Sequence, residues 1–365
     1  MTAGYFSPLP PAQSGVADYA NDLLQDLRRL GTVVVNGDGD VNLYHLGNNQ
    51  LHRQIYTKAL QRPGVAVIHD AVLQHFFLGS LNREQYIQEF NYNYGAWTRD
   101  LAARLWDQRA SSAGNAEYFR YPMLRRIVET SLAVIVHNPG AAEMVRTHCT
   151  TARLMEIPLM FAGAPSADPQ EVYRARERYG ARSHTFLYGI FGHLRESKRI
   201  LTVLRAFSEA RIAAPDIGLL IAGGSIPSDL QRAMAPLLAQ PGVVQTGFAP
   251  EHEFWMNAHA VDACINLRYP PAGESSSITV RLMGIAKPVI VTAGAETSGF
   301  PGSACLRVDS GTGEQAMLRE FLIWLAQHRP DAREIGRRAM FHIHQHHGRE
   351  RVALEYWRVL LGARS

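Results

Sequence analysis

Lysine is almost missing from this chain. Only Lys58, Lys198 and Lys287 stand among 37 basic residues, and the others are arginine. Cysteine is as scarce: Cys149, Cys264 and Cys305 are odd in number and far apart. That excludes a disulfide framework and a C-x-x-C metal knuckle, and the three read as small buried apolar groups in a reducing compartment. No apolar run approaches 18 residues, so no membrane-spanning helix is expected. The opening stretch MTAGYFSPLPPAQSG has neither a basic segment nor an apolar run. The expectation is therefore no secretory leader and a cytoplasmic location. With 46% apolar and 19% charged residues, the chain is not disordered, acidic or fibrous.

The net charge of +4 has one address. From Arg329 onward eight arginines face four acids, and the rest of the chain is balanced. A neutral body with a basic tail does not suit a nucleic-acid binder, which needs a basic face with interleaved aromatics. The tail reads as a solvated helix face or as a contact with the inner face of an anionic membrane.

What is present is an alternation of short β-branched runs and amphipathic stretches over 365 residues, the pattern of α/β domains with parallel sheets. Strand candidates in the first half are Thr32–Val35, Val41–Leu46, Val65–Ile68 and Ala133–Val136. Helical stretches between them are Val16–Leu30, Gln50–Gln61 and Arg120–Thr130. An aromatic segment, with Tyr86, Phe90, Tyr92, Tyr94, Trp97 and Trp106, reads as a core or interface face rather than a ligand-stacking one. The small, proline-rich FAGAPSADP after Phe161 reads as a linker. A second series of strands and helices follows, then a helix near Glu314–Gln327 and a long tail, Arg333–Leu361. The expected division is 1–162, a linker 163–180, a second domain 181–340, and a C-terminal helix 341–365.

Three segments carry chemistry. Pro8, Pro10 and Pro11 lead to Ser14-Gly15 and a helix start, where free amides and the helix dipole favour an anion. In GIFGHLRESKRILTVLRAF a strand ends near Gly192 and a loop brings His193, Arg195 and Lys198. Cations just past the carboxyl end of a parallel strand are where such sheets bind phosphates. In INLRYPPAGESSSITVRLMGIAKPVIVT a turn delivers Glu274, Ser275, Ser276 and Ser277 to another helix start. These serines can cap the helix, and the bare amides there can hold a diphosphate.

Together these segments resemble the family 4 glycosyltransferases of the GT-B fold. The resemblance runs in order through PLPPAQSGVADY, YHLGNN, PGVAVIHD, FGHLRESKR, and RYPPAGESS followed by GIAKPVIV. It implies two Rossmann-like domains facing across a cleft, with a C-terminal helix returning to the N-terminal domain. It further implies a retaining transfer of a hexose from a UDP- or GDP-sugar to a hydroxyl acceptor, with no metal and no cofactor. Residue by residue, His69 matches the histidine beside the reacting sugar, Lys198 the lysine that neutralises the leaving diphosphate, and Glu274 the acidic loop on donor sugar. Ser14, Gly15, His193, Arg195, Ser275, Ser276 and Ser277 fall on the donor side, and Asn48, Asn49 and Asp70 on the acceptor side.

Two positions depart from the family. His193 stands where an arginine is common, and Arg281 stands where a second acid grips the ribose. Arginine cannot accept a hydrogen bond, so Arg281 is expected to face a phosphate or to pair with Glu274. Two other functions stay open: a nucleotide-sugar hydrolase or epimerase of the same fold, or a non-catalytic subunit that binds a nucleotide or partner. The cluster His342, His344, His346 and His347 reads as a polar helix face at the domain junction.

Overall fold

The computed structural model describes residues 1–12, 14–224 and 226–364. Two six-stranded sheets, each wholly parallel, follow one another along the chain. The first holds β1 (Thr2–Phe6), β2 (Thr32–Val35), β3 (Val41–Leu46), β4 (Val65–Ile68), β5 (Ala133–Val136) and β6 (Leu154–Glu156). The second holds β7 (Phe186–Phe191), β8 (Ile217–Ala222), β9 (Val243–Thr246), β10 (Ala263–Asn266), β11 (Val289–Thr292) and β12 (Leu306–Val308). Strands β3, β4, β5, β7, β8 and β10 are buried along their whole length. Helices cover both their faces, which is why their sequences are mostly apolar, with Asn42, His45 and Asn266 as buried polar exceptions.

Strand order places the site. The first sheet runs β2-β1-β3-β4-β5-β6 and the second β12-β11-β10-β7-β8-β9. Each order reverses once, beside β1 and beside β7. Loops that leave neighbouring strands in opposite directions open a crevice at that point. The loops after β1, β3, β7 and β10 are the segments carrying Ser14, Asn48, Lys198 and Glu274.

Several elements differ from the sequence expectation. β1 is missing from the candidate strands because TAGYF is short and lacks β-branched residues beyond Thr2, and β6 and β12 are only three residues long. The stretch Arg120–Thr130 is helical only from Arg125; a short 3-10 turn, Ala116–Arg120, ends at its first residue, and residues 121–124 are irregular. Within 163–180, residues Pro169–Arg178 form a helix, capped by Asp168, that packs against helix Glu251–Ala260. The long tail is two helices, Arg329–His346 and Arg349–Ala363, broken at His347-Gly348.

That break is one of two crossings between the halves. Phe161 of the other crossing donates its N–H to the His347 carbonyl, and its ring closes on Gly284. Helix Arg349–Ala363 then returns to the first domain and lies on helix Gly15–Leu30. Arg349 pairs with buried Asp26 at 2.9 Å, the Tyr19 and Tyr356 hydroxyls meet at 3.0 Å, and Trp357 fills the space a side chain at Gly31 would need. One apolar cluster runs from Leu23 and Leu27 through Ile157–Phe161 to Val289 and Tyr356. The two halves are therefore joined by core, not by a tether.

Candidate active site

The first domain contributes a buried line of imidazoles. His45, His69 and His137 come from the ends of β3, β4 and β5. His137 Nδ1 lies 2.9 Å from the Ile157 carbonyl, its Nε2 is 3.2 Å from His69 Nδ1, and His69 Nε2 is 2.9 Å from His45 Nδ1. Burial pushes His137 down to about 4, and burial with its histidine neighbours holds His45 and His69 well below the usual range. All three are neutral at pH 7, and the network then fixes every tautomer. Nδ1–H of each ring donates, to Ile157 O, to His137 and to His69 in turn. His69, predicted from the sequence, thus has both ring nitrogens occupied. His45 and His137 were missed: a lone histidine after a strand carries no signal until the sheet sets three side by side.

Asp70 follows His69 and turns toward the second domain. Its carboxylate accepts the Asn48 N–H at 2.9 Å. Burial, then the charge of Glu274, pushes its carboxyl up to about 6. Asn48 is also tied to Phe76 N at 2.8 Å and to the His75 ring at 3.2 Å. Asn49 caps the short turn that follows, accepting from Leu51 N at 3.0 Å, so its side chain is spent locally.

The second domain contributes charge. Lys198 is only 7% exposed and donates to the Phe191 carbonyl. Burial, then repulsion from Arg268, pushes it down to about 7, with Glu274 pulling the other way. Gly192, in the left-handed region at φ 83°, lets the loop turn there; a Cβ would sit 3.2 Å from Lys198 Nζ. Arg195 is exposed, and its charge acts on both Asp70 and Glu274. His193 is half-buried, and burial with the nearby Arg195 and Lys198 pulls it below the usual range.

Glu274 is the meeting point. It pairs with Arg268, a residue of the RYP turn not singled out from the sequence. Burial raises its carboxyl, but Arg268, Arg195 and Lys198 outweigh burial and hold it below the usual range. Its loop is docked onto the first domain. Ala71 N donates to Ala272 O at 3.0 Å, and Asn138 Nδ2 donates to Gly273 O at 3.0 Å and Ser275 Oγ at 2.9 Å. Gly273 is left-handed at φ 64°, and a Cβ there would lie 2.5 Å from the Ala71 Cβ. Asn138 was missed too, although Asn-Pro before a helix is a capping signal, and Asn138 does cap Ala141 N at 2.8 Å.

The two helix starts also face one another. Ser14 caps Ala17 N at 3.1 Å, and a Cβ on Gly15 would come within 4.0 Å of Ser277 Oγ. Ser276 caps the facing helix and accepts from Asn266 Nδ2 at 2.7 Å.

Arg281 corrects an expectation. It does not pair with Glu274. It pairs with Glu251 and stacks over Phe254 and Trp255, 3.9 and 4.4 Å from the ring centroids. The reason is helical geometry: Arg281 lies one turn past the helix start, facing helix Glu251–Ala260 while Glu274 is in the preceding loop. Trp255 Nε1 donates to the same Glu251 oxygen, Oε1, at 2.8 Å.

A cavity of about 810 Å³ lies between the domains on the hinge side. Glu274, Ser275 and Arg268 border it, and so do His137 and Asn138. Lys198, His69 and Ser14 do not. The Glu274 loop therefore separates this cavity from the cationic loop after β7. Among the described residues no group of three His, Cys, Asp or Glu side chains is arranged to hold a metal ion, and no helix is long and apolar enough to cross a membrane.

No family model matches the chain, and no curated protein matches it by sequence. Solved structures do match. HepE of Anabaena, in complex with UDP and glucose, superposes with a TM-score of 0.66 at 13% identity, covering 99% of this chain and all of that one. Sucrose-phosphate synthase of Thermosynechococcus elongatus reaches 0.69 at 16% identity over the whole of both chains. WaaG, a glycosyltransferase of lipopolysaccharide biosynthesis, reaches 0.61 at 13% identity over 97% of this chain and 98% of its own. Two parallel sheets joined by a double crossing, matched end to end by these glycosyltransferase structures, identify the fold of this chain as GT-B.

Proposed function

We propose that this protein is a retaining glycosyltransferase that moves a hexose from a UDP- or GDP-sugar to a hydroxyl acceptor, with no metal ion. The observation that carries the reading is the meeting of Lys198, Arg195 and two helix starts around Glu274, across the switch points of two sheets. HepE with UDP and glucose supports it as a likeness of fold.

The chemistry follows from charge. Breaking a glycosyl–phosphate bond leaves positive charge on the sugar and negative charge on the diphosphate. Donors fixed where the negative charge grows lower the barrier without reorganising. Lys198, Arg195, and the amides after Ser14 and Ser276 are those donors. A diphosphate beside Lys198 returns its pKa toward that of an ordinary lysine, so the cation is complete when the leaving group needs it. Glu274, kept ionised by Arg268, is set to accept sugar hydroxyls and to face the charge on the ring. In a same-face transfer the departing phosphate oxygen takes the acceptor's proton, so no separate base is required. The ribose acid that Arg281 displaces has a substitute: Glu251, held by Arg281 and Trp255, supplies the accepting carboxylate. The residues about Asn138 and Ala71 close the two halves and exclude water from the donor.

The test is turnover with UDP-glucose, UDP-N-acetylglucosamine, GDP-mannose and GDP-glucose over a sugar acceptor panel, with calorimetry of UDP and GDP alongside. Transfer with retained configuration, lost in Lys198→Ala, is expected. Hydrolysis or epimerisation without acceptor would establish the second enzymatic reading, and nucleotide binding with no turnover would establish the binding subunit.

A further inference from the structure

Asp70 and Glu274 belong to different domains, yet their carboxyls hydrogen-bond to one another. Two carboxylates offer only acceptors, so the contact requires one proton between them. The chain around it fixes the approach. Ala71, next to Asp70, donates its N–H to Ala272 O at 3.0 Å, and Asn138 holds Gly273 and Ser275 on either side of Glu274. Behind Asp70 there is no slack: a Cβ on Gly47 would sit 3.1 Å from Asp70 Oδ2 and 2.8 Å from His52 Nε2.

The proton belongs to Asp70. Arg268, Arg195 and Lys198 surround Glu274, from the loops after β10 and β7, and favour its ionised form. Asp70 has less to hold a charge. The Asn48 N–H and Arg195 favour its carboxylate, but burial and the charge of Glu274 outweigh them and push the carboxyl up to about 6. His52, beside it across Gly47, gives no help. It donates Nδ1–H to the His45 carbonyl at 2.9 Å, burial pushes it down to about 4, and the ring is neutral with a bare Nε2. His69, the chain neighbour of Asp70, has both ring nitrogens tied into the histidine line.

Glu274 is the carboxylate that the transferase reading assigns to sugar hydroxyls. The O–H that a protonated Asp70 presents to it is the same kind of donor that a sugar presents. Arg268 keeps its grip on Glu274 Oε1 through charge, so Asp70 is the neighbour that can give way. We propose that Asp70 is a proton-controlled placeholder for a donor-sugar hydroxyl: protonated, it occupies Glu274 and bridges the domains; ionised, it is repelled and yields Glu274 to the sugar. Below about pH 6 sugar binding then releases one proton from Asp70 to solvent. The sugar hydroxyl keeps its own proton and shares it with Glu274 in a hydrogen bond. The proposal rests on the transferase reading and gives Asp70 a role toward the donor.

The experiment titrates UDP-glucose, GDP-mannose, UDP and GDP into the full chain by calorimetry at pH 5.0 and pH 7.5. It compares the parent with Asp70→Ala and Asp70→Asn, each with a melting curve. Ala removes the placeholder and is the reference, because Lys198, His193 and the diphosphate still titrate in it. Asn keeps an N–H for Glu274 and a carbonyl for the Asn48 N–H, and it cannot ionise. Relative to Ala, the parent is expected to bind the sugar nucleotide about tenfold more weakly at pH 5.0 and within about twofold at pH 7.5, since a group titrating at about 6 costs about tenfold per pH unit below that value. Asn should be about tenfold weaker than Ala at both. The free nucleotides, which bring no donor sugar, should not separate the three chains. Should Ala fold poorly, the parent against Asn carries the test: equal at pH 5.0, about tenfold tighter at pH 7.5. Parallel pH profiles for the parent and Ala overturn the proposal. So does Ala binding more weakly than the parent at pH 7.5, Asn binding as tightly as Ala, or a free nucleotide binding where neither sugar nucleotide does. Failure of every chain to bind any of the four strikes the donor reading itself, so the two failures are told apart.

Discussion

The two halves bring opposite kinds of chemistry to one cleft. The first domain offers rings stripped of charge: His45, His69 and His137 are buried and neutral and hydrogen-bond in series. The second offers formal charge: Lys198, Arg195, Arg268 and Glu274 crowd one loop cluster. The same fold element, the loop after a parallel strand, is used both ways. Under the transferase reading proposed above, a neutral, rigid wall would suit the side where a hydroxyl acceptor arrives, because it neither attracts nor repels a leaving anion. Under the same reading a charged wall would suit the side that holds a diphosphate. The difference lies in what each loop is packed against: β3, β4 and β5 bury their end residues under Tyr19, whereas the loops after β7 and β10 lie against one another.

Acid breaks this comparison with the largest effect. His52, His137 and His347 titrate near 4 in the fold, against about 6.5 unfolded. Their contribution to stability is complete above pH 6.5 and is lost as pH falls toward 4, about 3 kcal/mol each in the limit. Asp70 opposes this: with its pKa raised to about 6, its contribution is complete below pH 3.8 and lost as pH rises through 6. One group does not offset several. Urea unfolding at pH 7 and pH 4.5 should show the loss. The second half responds in another window, because Lys198 at about 7 gives its full contribution only above pH 10.5 and loses it as pH falls through 7.

Lys198→Ala comes next. Removing the buried cation should cut turnover on the order of 10²–10³-fold, about 3–4 kcal/mol of barrier, while stability holds or rises because a buried charge is gone. Steady-state kinetics with a melting curve reads both. His69→Ala is the mirror image. It strands His45 Nδ1–H and His137 Nε2, and each buried group left unpaired costs about 1–3 kcal/mol. Its melting temperature should fall more sharply than that of any charge variant in the second half. Arg281→Lys sharpens the comparison with the smallest effect. It keeps the charge but weakens the stack on Phe254 and Trp255, for about 0.5–2 kcal/mol. A rise in KM for the nucleotide sugar larger than the fall in kcat is expected.

Much of this was legible in the chain. Strands β2, β3, β4 and β5 carry the boundaries that their β-branched runs suggest; in β4 and β5 this is because a strand covered on both faces must be apolar throughout. The Gly192–Lys198 loop and the Glu274 turn announced themselves as cations and serines between a strand and a helix. Asn138, Arg268, Glu251 and His347 did not, since each gains its meaning only from a neighbour remote in sequence. Arg281 shows the limit most clearly. Its departure from the family pattern was visible, but its partner depended on which face of a helix met which other helix.

Sequence by itself determined the alternation of strand and helix, the places where the chain turns, and the inventory of anion-holding groups. These are local matters, set by side-chain periodicity and by the free amides at helix starts. Tertiary structure decided which groups share a proton, which stay charged and which cavity is left open. Those depend on burial and on distances between residues far apart in the chain: Asp70 to Glu274, His69 to His137, His347 to Leu159. Electrostatic energy in a poorly solvated cleft is set by such distances, and no local pattern encodes them.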